Sequence, residues 1–322
     1  MDNVERLAEI KNILTRSLSN IIVDDYIFLD LPYYSNIGDS MIWKGTETFL
    51  ATLPYKCIYR ASIETYMPPD IDKNVIILLH GGGNFGDLWR RHTHFFLKIV
   101  EQFPRNRIII LPQTVHYEDQ AVMMGDALQL GRHPRLSICA RDSVTKEILE
   151  KYFSNQVLLV PDMALFVSQK DTTVGKNKRN NKSLFLMRKD KELLFLRSFE
   201  SLRKQENTDE KDWPGMEKKL ICTKILFKFM KIKKQSKNKK IVHYLSKVID
   251  WYALKIHMPR LYKIGLNFID KYEKIYSTRL HGAIMGVLLS KKVTVFDNSY
   301  GKNKNFYNTW LKNFNDTVLI DK

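Results

Sequence analysis

Short apolar runs alternate with polar, helix-like stretches through the first half of the chain. Residues 26–32 ("YIFLDLP") read as a strand that continues through "YYSNIGD" into a helix beginning near Asp39. Residues 75–79, a glycine turn and a helix over about 88–103 repeat the plan. "NRIIILPQT", "LSICARDSVTKEILEKYF" and "QVLLVPDMALF" supply three more short apolar runs. Apolar strands alternating with helices predict a parallel, doubly wound α/β sheet with crossover helices. Ligands bind such sheets at the carboxyl ends of the strands. There Asn36, Asp39, His80, Gly81, Gly82, Gly83, Asn84, Gln113, Arg141 and Asp162 would gather.

The alternation breaks at "SQKDTTVGKNKRNNK", residues 168–182, which has the composition of an exposed linker. It divides the chain into a domain of residues 1–167 and a second of residues 183–322. The second opens with "SLFLMRKDKE", a strand ending at Arg188. Residues 213–272 carry a helical signal. At 100° per residue Ile221, Ile225, Phe229 and Ile232 share one face, with Lys224, Lys228 and Lys231 on its flank and Phe227 out of pattern. "KIYS", "RLHGAIMGVLL" and "KKVTVFDN" then read as strand, helix and strand. The second half is thus also α/β, with a basic helical insertion.

Composition refines this picture in two ways. The length of 322 residues with 44% apolar content fits two cores better than one. Three separated cysteines without a CxxC pair suggest neither a disulfide framework nor a cysteine zinc site. The N-terminus lacks the apolar core of a signal peptide, and no apolar run approaches ~18 residues, so a soluble cytoplasmic protein is expected. The net charge of +17 is unevenly spread: residues 1–167 carry −3 and residues 168–322 carry +20. Basicity on one half points to an anionic ligand, a nucleic acid or an acidic membrane surface there, or to a solvated lysine-rich surface.

"GGGNFG" (Gly81 to Gly86) matches the dinucleotide-binding pattern between a strand and a helix. The acidic ribose partner expected about 20 residues later is missing, because the next strand ends "IIILPQT". The glycines instead suggest close approach of a ligand to the backbone, with the following helix N-terminus open to an anion. His92 and His94 sit two apart, unlike the i, i+4 spacing of a helical zinc pair, and read as surface residues. No hydrolase elbow or metal motif occurs. Arg279 and His281 open the apolar run "IYSTRLHGAIMGVLL". With Ser277 or Thr278 as N-cap, both fall in a first turn, beside unpaired backbone N–H groups and the positive end of the helix dipole. Such a turn is either a solvated helix start or an anion site.

In chain order, "SNIGDSMIWKG", "LLHGGGNFGDLW", "ICARDSVTKEIL", "VPDMAL", "LMRKDKE" and "STRLHGAIMGVLLSKKVTVFDNSYGKN" resemble the motifs of the polysaccharide pyruvyl transferase family. The resemblance runs from about residue 26 to 305. It implies two Rossmann-like domains arranged as in the B-type glycosyltransferases, with the active site in the interdomain cleft. It implies transfer of pyruvate, as a ketal, from phosphoenolpyruvate to a sugar of a cell-surface polysaccharide or its lipid-linked precursor. By the same resemblance Arg279, His281 and Arg188 serve phosphoenolpyruvate binding and catalysis. Thr278 stands where many members carry an acidic residue.

The residue types suit that chemistry. Phosphoenolpyruvate carries a phosphate and a carboxylate, which two guanidiniums and a helix N-terminus would neutralise and orient. His281 is the natural donor of a proton to its methylene carbon, and Asp39 and Glu192 are candidates for the base. Asn36, Gly38, His80, Gly81, Gly82, Gly83, Asn84, Arg141, Leu280 and Glu192 would line the substrate site. No cofactor and no metal are expected, with phosphoenolpyruvate as donor substrate and a glycan or lipid-linked glycan as acceptor. The expected partners exclude nucleic acid and include peripheral contact with the inner membrane face through residues 218–247. A B-type glycosyltransferase using a nucleotide sugar is the alternative, since it would share the architecture and an anion site in the second domain.

Overall fold

The protein is described by a computed structural model covering residues 2–168, 170–173, 181–194, 199, 201 and 207–321. Much of the expected linker, residues 169 and 174–180, lies outside the described residues.

Two parallel sheets organise the chain. The first contains β1 (Tyr26–Leu29), β2 (Cys57–Ala61), β3 (Ile76–Leu79), β5 (Ile108–His116), β6 (Leu136–Ala140) and β7 (Gln156–Leu159) in the order β2-β1-β3-β5-β6-β7. A further strand, β4 (Gly82–Gly86), pairs with the end of β5. The second has the order β12-β11-β10-β8-β9, from β8 (Ser183–Leu186), β9 (Thr208–Lys211), β10 (Lys274–Ser277), β11 (Lys292–Phe296) and β12 (Thr317–Ile320). Every ladder is parallel.

Central strands are apolar throughout because both faces of the sheet are covered. Successive side chains of β1 alternate sides. Tyr26 and Phe28 join the core that also holds Trp43 of α2 (Ile37–Leu50), and Ile27 and Leu29 join the core beneath α3 (Arg90–Gln102) and α4 (Gln120–Gly131). The first of these cores is continuous with the second sheet, since Leu186, Ile275 and Val295 belong to it. A methyl group on Gly265, in the helix Met258–Asp270, would come within 2.3 Å of Ile37 Cγ2. That close approach packs this helix directly onto α2.

The glycine run departs from the expected turn. Pro112 offers β5 no N–H, and the β5–β6 register shifts between Ile110 and Gln113. β4 then lies against β5, with Gly82 opposite Gln113 and Gly86 opposite His116. Gly86 has φ +138°, and a methyl there would fall 1.7 Å from the His116 carbonyl oxygen. The glycines therefore serve strand-to-strand approach. Helix α3 begins four residues later, at Arg90, with no side-chain cap, so it does not open on the glycine run as expected.

The basic region holds the helices Ile221–Gln235 and Lys239–Tyr252, the latter running through a π-turn into Met258–Asp270. The face turned inward on the first is Cys222, Thr223 and Leu226, not the isoleucine stripe, which is left in solvent. No helix among the described residues is long and apolar enough to cross a membrane.

Candidate active site

A cavity of about 400 Å³ opens where carboxyl ends of strands from both sheets meet. One wall comes from the first sheet. Asn36 follows β1 and caps α2, accepting from the Gly38 N–H while its Nδ2 donates to Asp39 Oδ2 at 2.8 Å. Helix α2 thus starts at Ile37, two residues before the expected Asp39, because Asn36 takes the cap position. Arg141, just beyond β6, is 1% exposed and donates to Thr114 Oγ1 and to Asp162 Oδ2, both at 2.8 Å.

The other wall comes from the second sheet. β8 and β10 pair with Leu186 opposite Ser277, so Arg188 and Arg279 lie two residues beyond the same rung. Thr278 locks that junction: its hydroxyl accepts from the Arg188 N–H at 2.8 Å and donates to the Leu186 carbonyl at 3.2 Å. Thr278 is thus buried and structural.

Both guanidiniums are neutralised. Arg279 forms a fork with Asp212, Nη2 to Oδ2 being 2.6 Å, and reaches Asp190 at 3.3 Å. Arg188 binds Asp190 at 2.7 Å through Nε and Glu192 at 2.7 Å through Nη1. Glu192 also accepts from Lys302, Asn298 and Tyr300. Burial opposes ionisation of Glu192, but Lys302 and Arg188 outweigh it and hold the carboxyl well below its usual range. Asp162 is likewise held low against its burial, by His281 and then Arg141.

His281 stands in the first turn of the helix Leu280–Leu288, its Nε2 3.4 Å from Asp162 Oδ2. The N-cap is Arg279, not Ser277 or Thr278. The Ser277 hydroxyl instead accepts from the Arg279 N–H at 3.1 Å and donates to its carbonyl at 2.7 Å. The guanidinium therefore leaves from the cap position, and its fork turns to Asp212. Gly38 faces the imidazole, and a methyl there would sit 2.7 Å from His281 Nδ1.

The cavity brings together Asn36, Asp39, Gly83, Asn84, Arg141, Arg188, Glu192, Arg279, Leu280 and His281 of the expected residues. Its lining does not include Gly38, His80, Gly81, Gly82, Gln113 or Asp162. His80 is buried and stacked on Phe28, and burial pushes its pKa down. His92, expected at the surface, lines the cavity with its Nδ1 2.9 Å from Asp30. Burial disfavours its charged form, but Asp30 outweighs this and raises its pKa. His94 is exposed, as expected.

Sequence reasoning also missed Asp30, Tyr34, Asp190, Asp212 and Lys302. Asp30 directly follows β1 with φ +63°, and a carboxylate just past a strand end was a usable signal. Asp212 carried none, since it reaches Arg279 across 67 residues of sequence. Among the described residues no group of three or more His, Cys, Asp or Glu is placed to hold a metal ion.

Parallel sheets with crossover helices, and a cavity at their strand ends lined by Arg141, Arg188, Arg279 and Lys302 with their carboxylate partners, define a Rossmann-like α/β protein. The match to the model for polysaccharide pyruvyl transferase spans residues 36–300. The chain belongs to the polysaccharide pyruvyl transferase family, and it is a transferase. It is 30% identical over 328 residues to EpsO of Bacillus subtilis (strain 168), which bears the name of a pyruvyl transferase, covering 99% of this chain and 96% of that one. It is 29% identical over 150 residues to Pyruvyl transferase 1 of Schizosaccharomyces pombe, covering 43% and 37% of the two chains. The crystal structure of an uncharacterized protein from Klebsiella pneumoniae shares the fold, with a TM-score of 0.65 at 18% identity over 97% of this chain and 99% of that one.

Proposed function

We propose that the protein transfers pyruvate from phosphoenolpyruvate, as a ketal, to a sugar of a cell-surface glycan or its lipid-linked precursor. The observation that carries this reading is the convergence of Arg188, Arg279 and Lys302 with the imidazole of His281 on one cavity. Residues 1–167 and 183–322 are taken as two domains, the second holding the donor and the first the acceptor. Work at the cytoplasmic face of the membrane would follow from a lipid-linked acceptor, with residues 218–247 as the contact.

In the reaction, His281 protonates the methylene carbon of phosphoenolpyruvate, leaving an oxocarbenium-like centre at the next carbon. One sugar hydroxyl adds there and gives up its proton to a carboxylate. The second hydroxyl replaces the phosphate, which departs with the second proton. Glu192, offered as base from the sequence, is unsuited because its carboxylate is already engaged by Arg188, Lys302, Asn298 and Tyr300. Asp39 lies on the cavity wall with Asn36 as donor, and we assign it the base. The arginines, their forks held by Asp190, Glu192 and Asp212, supply positive charge beside the anion.

The test compares His281→Asn with Arg279→Lys, using calorimetry for phosphoenolpyruvate and phosphate release for turnover. Asparagine keeps size and hydrogen bonding but has no titratable proton. Turnover should fall ~100-fold or more with binding largely kept. Lysine keeps the charge and loses the fork, so binding should weaken first. Wild-type turnover in His281→Asn would remove the assigned acid, and competition by nucleoside diphosphate sugars would favour a glycosyltransferase.

A further inference from the structure

Residues 218–249 contain eleven lysines and no acidic residue. Ten of the lysines are exposed; Lys233 is the exception, turned inward to the Glu64 carbonyl. The same two helices also expose large apolar side chains. On Ile221–Gln235 these are Ile221 at 72%, Ile225, Phe227 and Ile232, interleaved with Lys224, Lys228 and Lys231. On Lys239–Tyr252 the exposed residues Lys240, Tyr244, Lys247 and Trp251 follow one another at i, i+4, i+7 and i+11, a single stripe along the helix. Tyr244 is 67% and Trp251 57% exposed. The opposite face of that helix, Ser246, Ile249 and Tyr252, is buried.

This arrangement leaves the apolar stripes of two adjacent helices in water, bordered by lysines of one sign. Nucleic acid would match the lysines but offers nothing for the isoleucines. A headgroup layer matches both, because tyrosine and tryptophan settle at the boundary between polar and apolar zones while lysines pair with anionic lipid.

We propose that the outer faces of the helices Ile221–Gln235 and Lys239–Tyr252 form a surface that docks on an anionic lipid bilayer. The surface stands on these observations; its use in presenting a lipid-linked acceptor rests on the transferase reading above. The lysines supply electrostatic attraction and the isoleucines, Tyr244 and Trp251 enter the headgroup boundary. Each lysine near an anionic surface changes partitioning about fivefold. Reversing two of them should lower binding by at least tenfold.

The full chain is floated with vesicles of phosphatidylcholine, with and without about one third phosphatidylglycerol, at low and high salt. Binding should require the anionic lipid and weaken with salt. Lys240→Glu with Lys247→Glu should abolish most of it, and Tyr244→Ser with Trp251→Ser should lower it at unchanged thermal midpoint. Brominated lipid should quench tryptophan emission in the wild type and much less in Trp251→Phe. Equal recovery with neutral and anionic vesicles would overturn the proposal. So would binding that both double variants retain, or capture by RNA with vesicles left unbound. Phosphoenolpyruvate binding is measured on the same variants. Its persistence while vesicle binding is lost, or its absence while vesicle binding persists, separates failure of this surface from failure of the transferase reading.

Discussion

Replacing Gly38 with alanine perturbs the assigned acid without touching its chemistry. The added methyl would stand 2.7 Å from His281 Nδ1, 3.0 Å from Cγ and 3.1 Å from Cβ. Ordinary contact between such atoms is ~3.5 Å or more, so the imidazole, or its helix, must give by roughly 0.8 Å. A misplacement of that order at a reacting group costs on the order of 100-fold in rate, about 2.7 kcal/mol. Alanine is the better helix former, by up to ~1 kcal/mol, and Gly38 carries no positive φ. The clash offsets that gain, so stability should change little while turnover collapses, which a general folding defect does not do. Phosphate release with acceptor and a thermal melt on one preparation give both quantities. Wild-type turnover, or a loss of activity that follows a lowered melting temperature, would refute the placement of His281 as proton donor.

Around the cavity six carboxylates, Asp30, Asp39, Asp162, Asp190, Glu192 and Asp212, meet four permanent cations, Arg141, Arg188, Arg279 and Lys302, and two histidines. The carboxylates outnumber the permanent cations by two, and protonation of His92, whose pKa Asp30 raises, brings the site nearer neutrality, so phosphoenolpyruvate should bind with proton uptake and more tightly as pH falls from 8 to 6. Calorimetry in two buffers of different ionisation enthalpy reads this, and equal apparent enthalpies would contradict it. Asp250 is a separate case. Burial raises its carboxyl to about 6 although Thr65 and Tyr33 donate to it. The folded state then holds a proton that the unfolded state, at ~3.9, has lost. The Asp250 contribution to stability should fall as pH rises from about 4 to 6, by ~3 kcal/mol, while the buried neutral His80 and His257 contribute in the opposite sense. The difference in melting temperature between the protein and Asp250→Asn should change across that interval; a constant difference would place the titration elsewhere.

The sheets were legible because buried parallel strands carry their signal locally, as "IILL" and "IIILP" do. Positions of Arg188, Arg279 and His281 were legible too, since each sits at a strand end or the helix that follows. What pairs with them was not. Asp212 meets Arg279, and Lys302 meets Glu192, through folding that brings segments 67 and 110 residues apart together. His92 was misread because its neighbours on α3 are polar. Its burial comes from Asp30 across the sheet, which helix periodicity does not register. The glycine run misled for a related reason: its spacing mimics a phosphate turn, yet the constraint it meets is the carbonyl of His116 on the adjoining strand.

Because Arg188 and Arg279 leave neighbouring strands at the same rung, their separation is a property of the hydrogen-bond lattice, set by the ~4.8 Å spacing of the sheet. No loop has to be tuned to keep the two cations in step, and insertions before β8 or after the helix Leu280–Leu288 leave that gauge untouched. The wall around Asn36, Gly83 and His92 has no such gauge, its residues standing at the cap of α2, in β4 and in the first turn of α3. A lineage could therefore reshape that wall freely, while the instrument formed by Arg188 and Arg279 keeps its calibration.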